Sequence, residues 1–183
     1  MKSMYPTFIT HYYEASQGPF RSLSDLSVDE AEVILQGIRR AGAIFASKRS
    51  TDYLAIRQSL EGQIRQLFIE KGGQPKTLRP NYFILGSCDW VKSWYREGRE
   101  VNIPLEAVDP KTISFTYGDS FPAMRYKDGK PYRGQVYILE ELSLIIKVYG
   151  LPQEWNCDGQ FGPERYIEAQ VWDDEPVKAY LGK

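Results

Sequence analysis

The chain has 183 residues, of which 42% are apolar, 26% charged and 14% aromatic, and its formal net charge is −1. That length suits one domain with a sizeable core. The aromatic content and small net charge exclude disorder over most of the chain, and they supply no global attraction to nucleic acid or anionic lipid.

Residues 6–13 read as a β-strand, because Phe8, Ile9, Tyr12 and Tyr13 favour extended structure and Pro6 stands before them. A polar loop follows over 14–26, with Gly18-Pro19 as its turn signal. Ser27 and Glu30 then have the spacing of a capping box. Ala31, Ile34, Leu35, Ile38, Ala41 and Phe45 recur on one face of a first long helix. A second helix is predicted over 51–71, with Ser50 as N-cap and Asp52 at the positive end of the dipole. Its apolar stripe is Tyr53, Ile56, Leu60, Ile64, Leu67 and Phe68, and Arg57 and Glu61, four apart, read as a surface pair. Gly72-Gly73 ends it, since glycine takes a left-handed conformation without steric cost.

Beyond this point the pattern changes to strands. Residues 81–85 form a short apolar run after Pro80. Residues 101–105 alternate, but Pro104 cannot donate to a ladder, which argues for an edge. Residues 112–117 alternate with Ile113, Phe115 and Tyr117 on one face, and Asp128-Gly129 reads as a hairpin turn. Further strands are predicted over 134–139 and 165–172. A short helix over 140–149 ends at Gly150, a loop spans 150–163, and 175–181 reads as a terminal helical turn. The order predicts an α+β fold over 1–183 as a single domain: a mixed or mainly antiparallel sheet with two long helices in the N-terminal half.

Charge is uneven along this order. Residues 39–79 carry nine Lys/Arg against three Asp/Glu, a balance of +6, and residues 140–175 carry two against nine, a balance of −7. The basic side chains are spread through helical sequence, which suits a solvated helix face opposite an acidic region better than a phosphate-binding patch, so nucleic acid is disfavoured as a partner. No apolar run reaches membrane-span length, and no apolar segment follows the first residues as in a secretory leader. Cys88 and Cys157 are far apart and form neither a disulfide framework nor a paired metal motif. These features predict a cytoplasmic location. Asp173-Asp174-Glu175 reads as a solvated terminus rather than a cation site, and no metal ligand set is predicted.

Four stretches carry a resemblance. They are Gly18-Pro19-Phe20-Arg21-Ser22-Leu23-Ser24-Asp25-Leu26, Phe68-Ile69-Glu70-Lys71-Gly72-Gly73, Ser114-Phe115-Thr116-Tyr117-Gly118-Asp119-Ser120 and Tyr166-Ile167-Glu168-Ala169-Gln170-Val171-Trp172. Together they resemble a family of uncharacterised bacterial proteins. The resemblance implies one domain in a bacterial cytoplasm and carries no activity, cofactor or catalytic residue.

Three residues on strands suggest chemistry. His11 lies in the first strand, Tyr82 in a strand after the helices, and Glu168 in the last strand. This order looks like the split-sheet fold of ADP-ribosyltransferases, in which a histidine, an aromatic residue and a late glutamate surround bound NAD. The resemblance implies His11, Tyr82 and Glu168 as catalytic residues, with Arg21 or Arg49 meeting the pyrophosphate. Cleaving the nicotinamide–ribose bond builds positive charge on the sugar, which a carboxylate stabilises. On its own sequence, His11 reads first as a core or half-buried histidine with one hydrogen-bond partner, ahead of a ligand-binding imidazole facing a cleft.

A protein-binding reading rests on aromatic and arginine residues, including Trp90, Trp94, Tyr126, Tyr132, Arg125 and Arg133, with a 124–134 hairpin as the presenting element. The leading description is therefore a domain of unassigned activity with a small-ligand or protein-binding cleft, and the enzymatic alternative is an NAD-binding ADP-ribosyltransferase-like protein. A catalytic cleft gathers His11, Tyr82 and Glu168 in one concave site; an interaction surface scatters them and exposes the aromatics.

Overall fold

Strand alternation gives the protein two unlike sheet faces, and the helices among the described residues pack against them. A computed structural model describes residues 3–20, 30, 31, 33, 34, 36 and 52–181. The strands are β1 (Phe8–Glu14), β2 (Asn81–Leu85), β3 (Gly98–Pro104), β4 (Ile113–Tyr117), β5 (Tyr137–Ile138) and β6 (Ile167–Val171). They form one sheet in the order β3-β1-β2-β6-β4-β5, with every strand pair antiparallel. With an antiparallel sheet and helices packed on its faces, the fold is α+β.

The last strand inserts at the centre, where β6 pairs with β2 through Ile84↔Glu168 and with β4 through Thr116↔Glu168. The strand carrying Pro104 is at the edge, as its missing amide requires, and pairs only with β1. On one face Ile9, Phe83, Leu85, Ile113, Phe115, Ile167, Ala169 and Val171 build the main apolar core. Helix α4 (Leu142–Tyr149) covers it with Leu142, Ile145 and Ile146.

The opposite face receives α1 (Tyr53–Glu70), which buries Leu60, Ile64 and Phe68. Each such side chain contributes about 1.5–3 kcal/mol when taken from water. The helix ends at Lys71, where Gly72 turns left-handed at φ 89° and Gly73 donates back to the Phe68 carbonyl over 2.9 Å. Of the first predicted helix, only Glu30, Ala31, Val33, Ile34 and Gln36 are among the described residues, and these are helical; Ser27 of its capping box and the rest of its stripe lie outside them. Ser50 also lies outside them, and α1 begins after Asp52, whose side chain makes no cap bond.

Two expectations are corrected. Residues 124–134 are no hairpin: a short helix, α3 (Ser120–Arg125), occupies its first part, started by Asp119, whose carboxylate accepts from the Phe121 amide. The Arg57–Glu61 pair is not a surface pair. Glu61 is fully buried, and besides lying 3.5 Å from Arg57 Nε it accepts from Tyr82 Oη at 2.8 Å and from Arg79 Nη1 at 3.1 Å. One carboxylate thus fastens α1 to β2 and to the segment that leads into it. The basic and acidic segments meet in two ion pairs, Lys71–Glu141 at 2.8 Å and Lys76–Asp173 at 2.7 Å. Among the described residues no helix is long and apolar enough to cross a membrane.

Glu61→Ala takes from the Arg79 and Arg57 cations the buried carboxylate they share and removes the acceptor of Tyr82. It is expected to destabilise the protein by about 3 kcal/mol, read as a lowered urea midpoint at unchanged slope.

Candidate functional site

A cleft of about 690 Å³ lies between α1, α3 and the polar face of the sheet, and His11, Tyr82 and Glu168 all line it. Its floor comes from adjacent strands: Tyr12 from β1, Tyr82 and Ile84 from β2, and Glu168 from β6. One wall is aromatic and carries a cation. Tyr53 and Phe121 stack in parallel at 5.1 Å, and the Arg57 guanidinium lies 4.0 Å over the Tyr82 ring. The other wall comes from the short helix α2 (Asp89–Lys92) and the turn beyond it. Trp90 and Trp94 meet edge to face at 5.1 Å there, and Arg165 lies 4.1 Å over Trp90.

Glu168 is the chemically distinctive group. Although it stands beside Gln170 on an alternating strand, it does not point to water: Glu168 is 6% exposed and Gln170 is fully buried. Both sit on the face covered by α1 because Ala169 between them takes the core face. A chain of hydrogen bonds fixes the carboxyl. Trp172 Nε1 donates to Ser114 Oγ (2.9 Å), Ser114 donates to Gln170 Oε1 (2.8 Å), and Gln170 Nε2 donates to Glu168 Oε1 (3.0 Å) and to Thr116 Oγ1 (3.1 Å). Thr116 in turn donates to the Gly118 carbonyl at 3.0 Å. Because the indole can only donate and the carbonyl only accept, the direction of every bond is set, including the orientation of the Gln170 amide. The Ser120 amide, 3.4 Å from Glu168 Oε2, completes the set.

Burial raises the Glu168 pKa to about 7. The Asp119 carboxylate contributes to that rise, and Arg57, Gln170 and Ser120 oppose it. Asp119 is itself held by the Phe121 amide at 2.8 Å and the Tyr166 hydroxyl at 3.1 Å. A carboxyl whose surroundings move its pKa up towards neutrality is a candidate for acid–base or charge-stabilising chemistry.

His11 is used differently from the expectation. Strands β1 and β2 pair only at Ile9↔Leu85 and Thr10↔Ile84, then part. The His11 side chain fills the gap, with Nδ1 2.8 Å from the Tyr82 carbonyl and Nε2 accepting from the Phe20 amide at 2.9 Å. The carbonyl can only accept, so Nδ1 bears the proton. The ring stacks on Phe20 at 4.3 Å, and burial pushes its pKa down to about 4, so the imidazole is neutral at neutral pH. Phe20 has a left-handed backbone, φ 59°, which costs a β-carbon residue about 1–3 kcal/mol. His11 holds that conformation in place. Both its ring nitrogens are engaged with backbone, so it positions the cleft wall rather than offering a free imidazole nitrogen.

Tyr82 also has its polar end occupied, donating to Glu61, and presents its ring to the cleft. Arg21 and Arg49 lie outside the described residues. The cations that line the cleft are Arg57, Arg125 and Arg165. Arg57 was read from the sequence as surface charge, and only its place on the α1 stripe, three residues beyond the buried Leu54, hinted otherwise. The proposed interaction aromatics do not form an exposed patch: Trp90 and Trp94 line the cleft, Trp172 is fully buried, Tyr132 is buried, and Tyr126 is the exposed one of those described. Among the described residues no three His, Cys, Asp or Glu side chains cluster as metal ligands.

Comparisons with protein-family models, with curated proteins and with solved structures find no match. The site must be read from its own chemistry. Gln170→Leu removes the donor to Glu168 and strands the Ser114 hydroxyl in a dry interior. A loss of about 2 kcal/mol in urea unfolding is expected, against less than about 0.5 kcal/mol for a change at exposed Lys127.

Proposed function

We propose that the cleft binds NAD and that the protein acts as an ADP-ribosyltransferase-like enzyme, with Glu168 as the carboxylate at the reacting ribose. The observation that carries this reading is a buried glutamate of near-neutral pKa on the central strand, in one cleft with Tyr82 and with His11 at the parting of β1 and β2. NAD offers what such a cleft is suited to hold: two flat rings for aromatic walls, ribose hydroxyls for a carboxylate, and phosphates for a cation.

In this reading Glu168, when ionised, accepts from a ribose hydroxyl and opposes the positive charge that grows at the anomeric carbon as nicotinamide departs. The departing base takes the electron pair of the glycosidic bond, and an acceptor nucleophile or water then bonds to the same carbon and gives up a proton. The low-dielectric surroundings that raise the Glu168 pKa also strengthen its interaction with that transient charge. Gln170 and Ser120 keep the carboxyl aimed. His11 supports the site through the Tyr82 and Phe20 backbone. Trp90, Trp94, Tyr53 and Phe121 provide surfaces on which rings can stack.

A calorimetric titration tests this. Saturable binding by ~1 mM NAD is expected, weakened in Glu168→Gln and, through loss of wall geometry, in His11→Ala. Nicotinamide release should rise with pH through about 7, as Glu168 loses its proton, and fall roughly a hundredfold in Glu168→Gln. Absence of NAD binding would remove the reading.

The linked effect on stability has the opposite sign. The folded-state pKa lies above the unfolded value, so the folded protein loses stability as pH rises from the ordinary glutamate range through about 7. Glu168→Gln, which removes the buried charge, should therefore raise the melting temperature relative to wild type more at pH 8 than at pH 5.

A further inference from the structure

The cleft contains a cation whose hydrogen-bonding capacity is largely unspent. Arg57 rises from α1 with its side chain 19% exposed, and it lines the cleft. Its guanidinium lies 4.0 Å over Tyr82, 5.6 Å from the Phe121 ring centroid and 5.8 Å from that of Tyr53. Three aromatic rings thus fix its plane without taking its N–H groups. Among the described residues its one ion contact, Nε to Glu61 Oε1, is 3.5 Å long, and Glu61 also serves Tyr82 Oη and Arg79 Nη1. Among the described residues no acceptor takes a hydrogen bond from either terminal nitrogen of Arg57. Glu168, across the cleft, has its oxygens held by Gln170 and Ser120 instead.

A guanidinium carries five donors in a rigid fork that fits an oxyanion. Fixed by aromatic faces in a half-enclosed cleft, it loses little side-chain entropy on binding, and its attraction for an anion exceeds that of a solvated arginine. Burial opposes its charge, and the oxygens of Tyr82, Tyr53, Glu168 and Glu61 outweigh that effect, so it stays protonated.

We infer that Arg57 is the oxyanion-binding residue of the cleft and that its ligand group is a pyrophosphate, seated in the cleft against the guanidinium that the Tyr82, Phe121 and Tyr53 rings surround. This deepens the NAD reading and rests on it for the rest of the ligand, but the anion site itself does not. Arg57 takes the role first assigned to Arg21 or Arg49.

The experiment is a calorimetric comparison of wild type with Arg57→Gln and Arg57→Lys, using NAD, ADP-ribose, inorganic pyrophosphate and nicotinamide riboside, which has no phosphate. Melting curves confirm that each variant is folded. Affinity for NAD, ADP-ribose and pyrophosphate should fall tenfold or more in Arg57→Gln, while nicotinamide riboside should bind wild type and variant within twofold. Pyrophosphate binding lost in Arg57→Gln, with no binding of NAD to wild type, would retain the anion site and reject the NAD reading. Unchanged pyrophosphate and ADP-ribose affinity in folded Arg57→Gln would overturn the inference. If Arg57→Gln does not fold, Arg57→Lys decides, since it keeps the charge and loses the fork: a threefold or greater loss supports the site, and equal affinity overturns it.

Discussion

A carboxyl taken out of water on the middle strand of the sheet is the constraint around which this protein is arranged. Isolated burial of a charge costs several kcal/mol, and a fold tolerates it only with hydrogen bonds and a nearby opposite charge. Here the Gln170 amide and the Ser120 amide supply the bonds, and Arg57 supplies the charge. The requirement propagates outward. Gln170 needs its own partners, so Ser114, Thr116 and Trp172 make one sheet face polar inside while Phe115, Ala169 and Val171 keep the other apolar. The polar face cannot be sealed by a greasy helix alone, and α1 accordingly brings Glu61 and Arg57 as well as Leu60, Ile64 and Phe68.

The second feature follows from the first strand. After two paired residues β1 leaves β2, and the exposed ladder groups need partners. His11 answers for one carbonyl with Nδ1 and for the Phe20 amide with Nε2, so a side chain replaces strand pairing and leaves space beside the sheet. His11 and Phe20 there contribute to the lining of the cleft. A neutral imidazole with a low pKa suits this task, because protonation would turn the Nε2 acceptor into a donor facing another donor.

Much of this was legible in the residues, for identifiable reasons. Short apolar runs bounded by proline and glycine marked β2, β4 and β6 closely, and Pro104 marked an edge strand. Helix α1 showed in its stripe and its Gly72-Gly73 stop. Helix α3 was missed although Asp119, a good N-cap, stands before Ser120 with Pro122 in the first turn; the Asp128-Gly129 turn signal pointed to a hairpin instead. Of the site, His11, Tyr82 and Glu168 could be named from a resemblance in the order of elements, and they stand on β1, β2 and β6, which are neighbours in the sheet. What could not be read was the third dimension. An i, i+4 pair such as Arg57 and Glu61 looks the same whether it meets solvent or Tyr82, and the roles of Gln170 and Ser114 appear only once β6 lies between β2 and β4.

The account turns on the state of one proton. Titrating the side-chain carboxyl carbon of Glu168 by NMR in ¹³C-glutamate-labelled protein, with Glu168→Gln to assign the signal, measures it directly. A midpoint near 7, moving to lower pH when NAD carrying its cationic nicotinamide is added, is what a buried carboxylate at a reacting ribose predicts. A midpoint in the ordinary glutamate range, indifferent to NAD, would contradict both the burial argument and the function built on it.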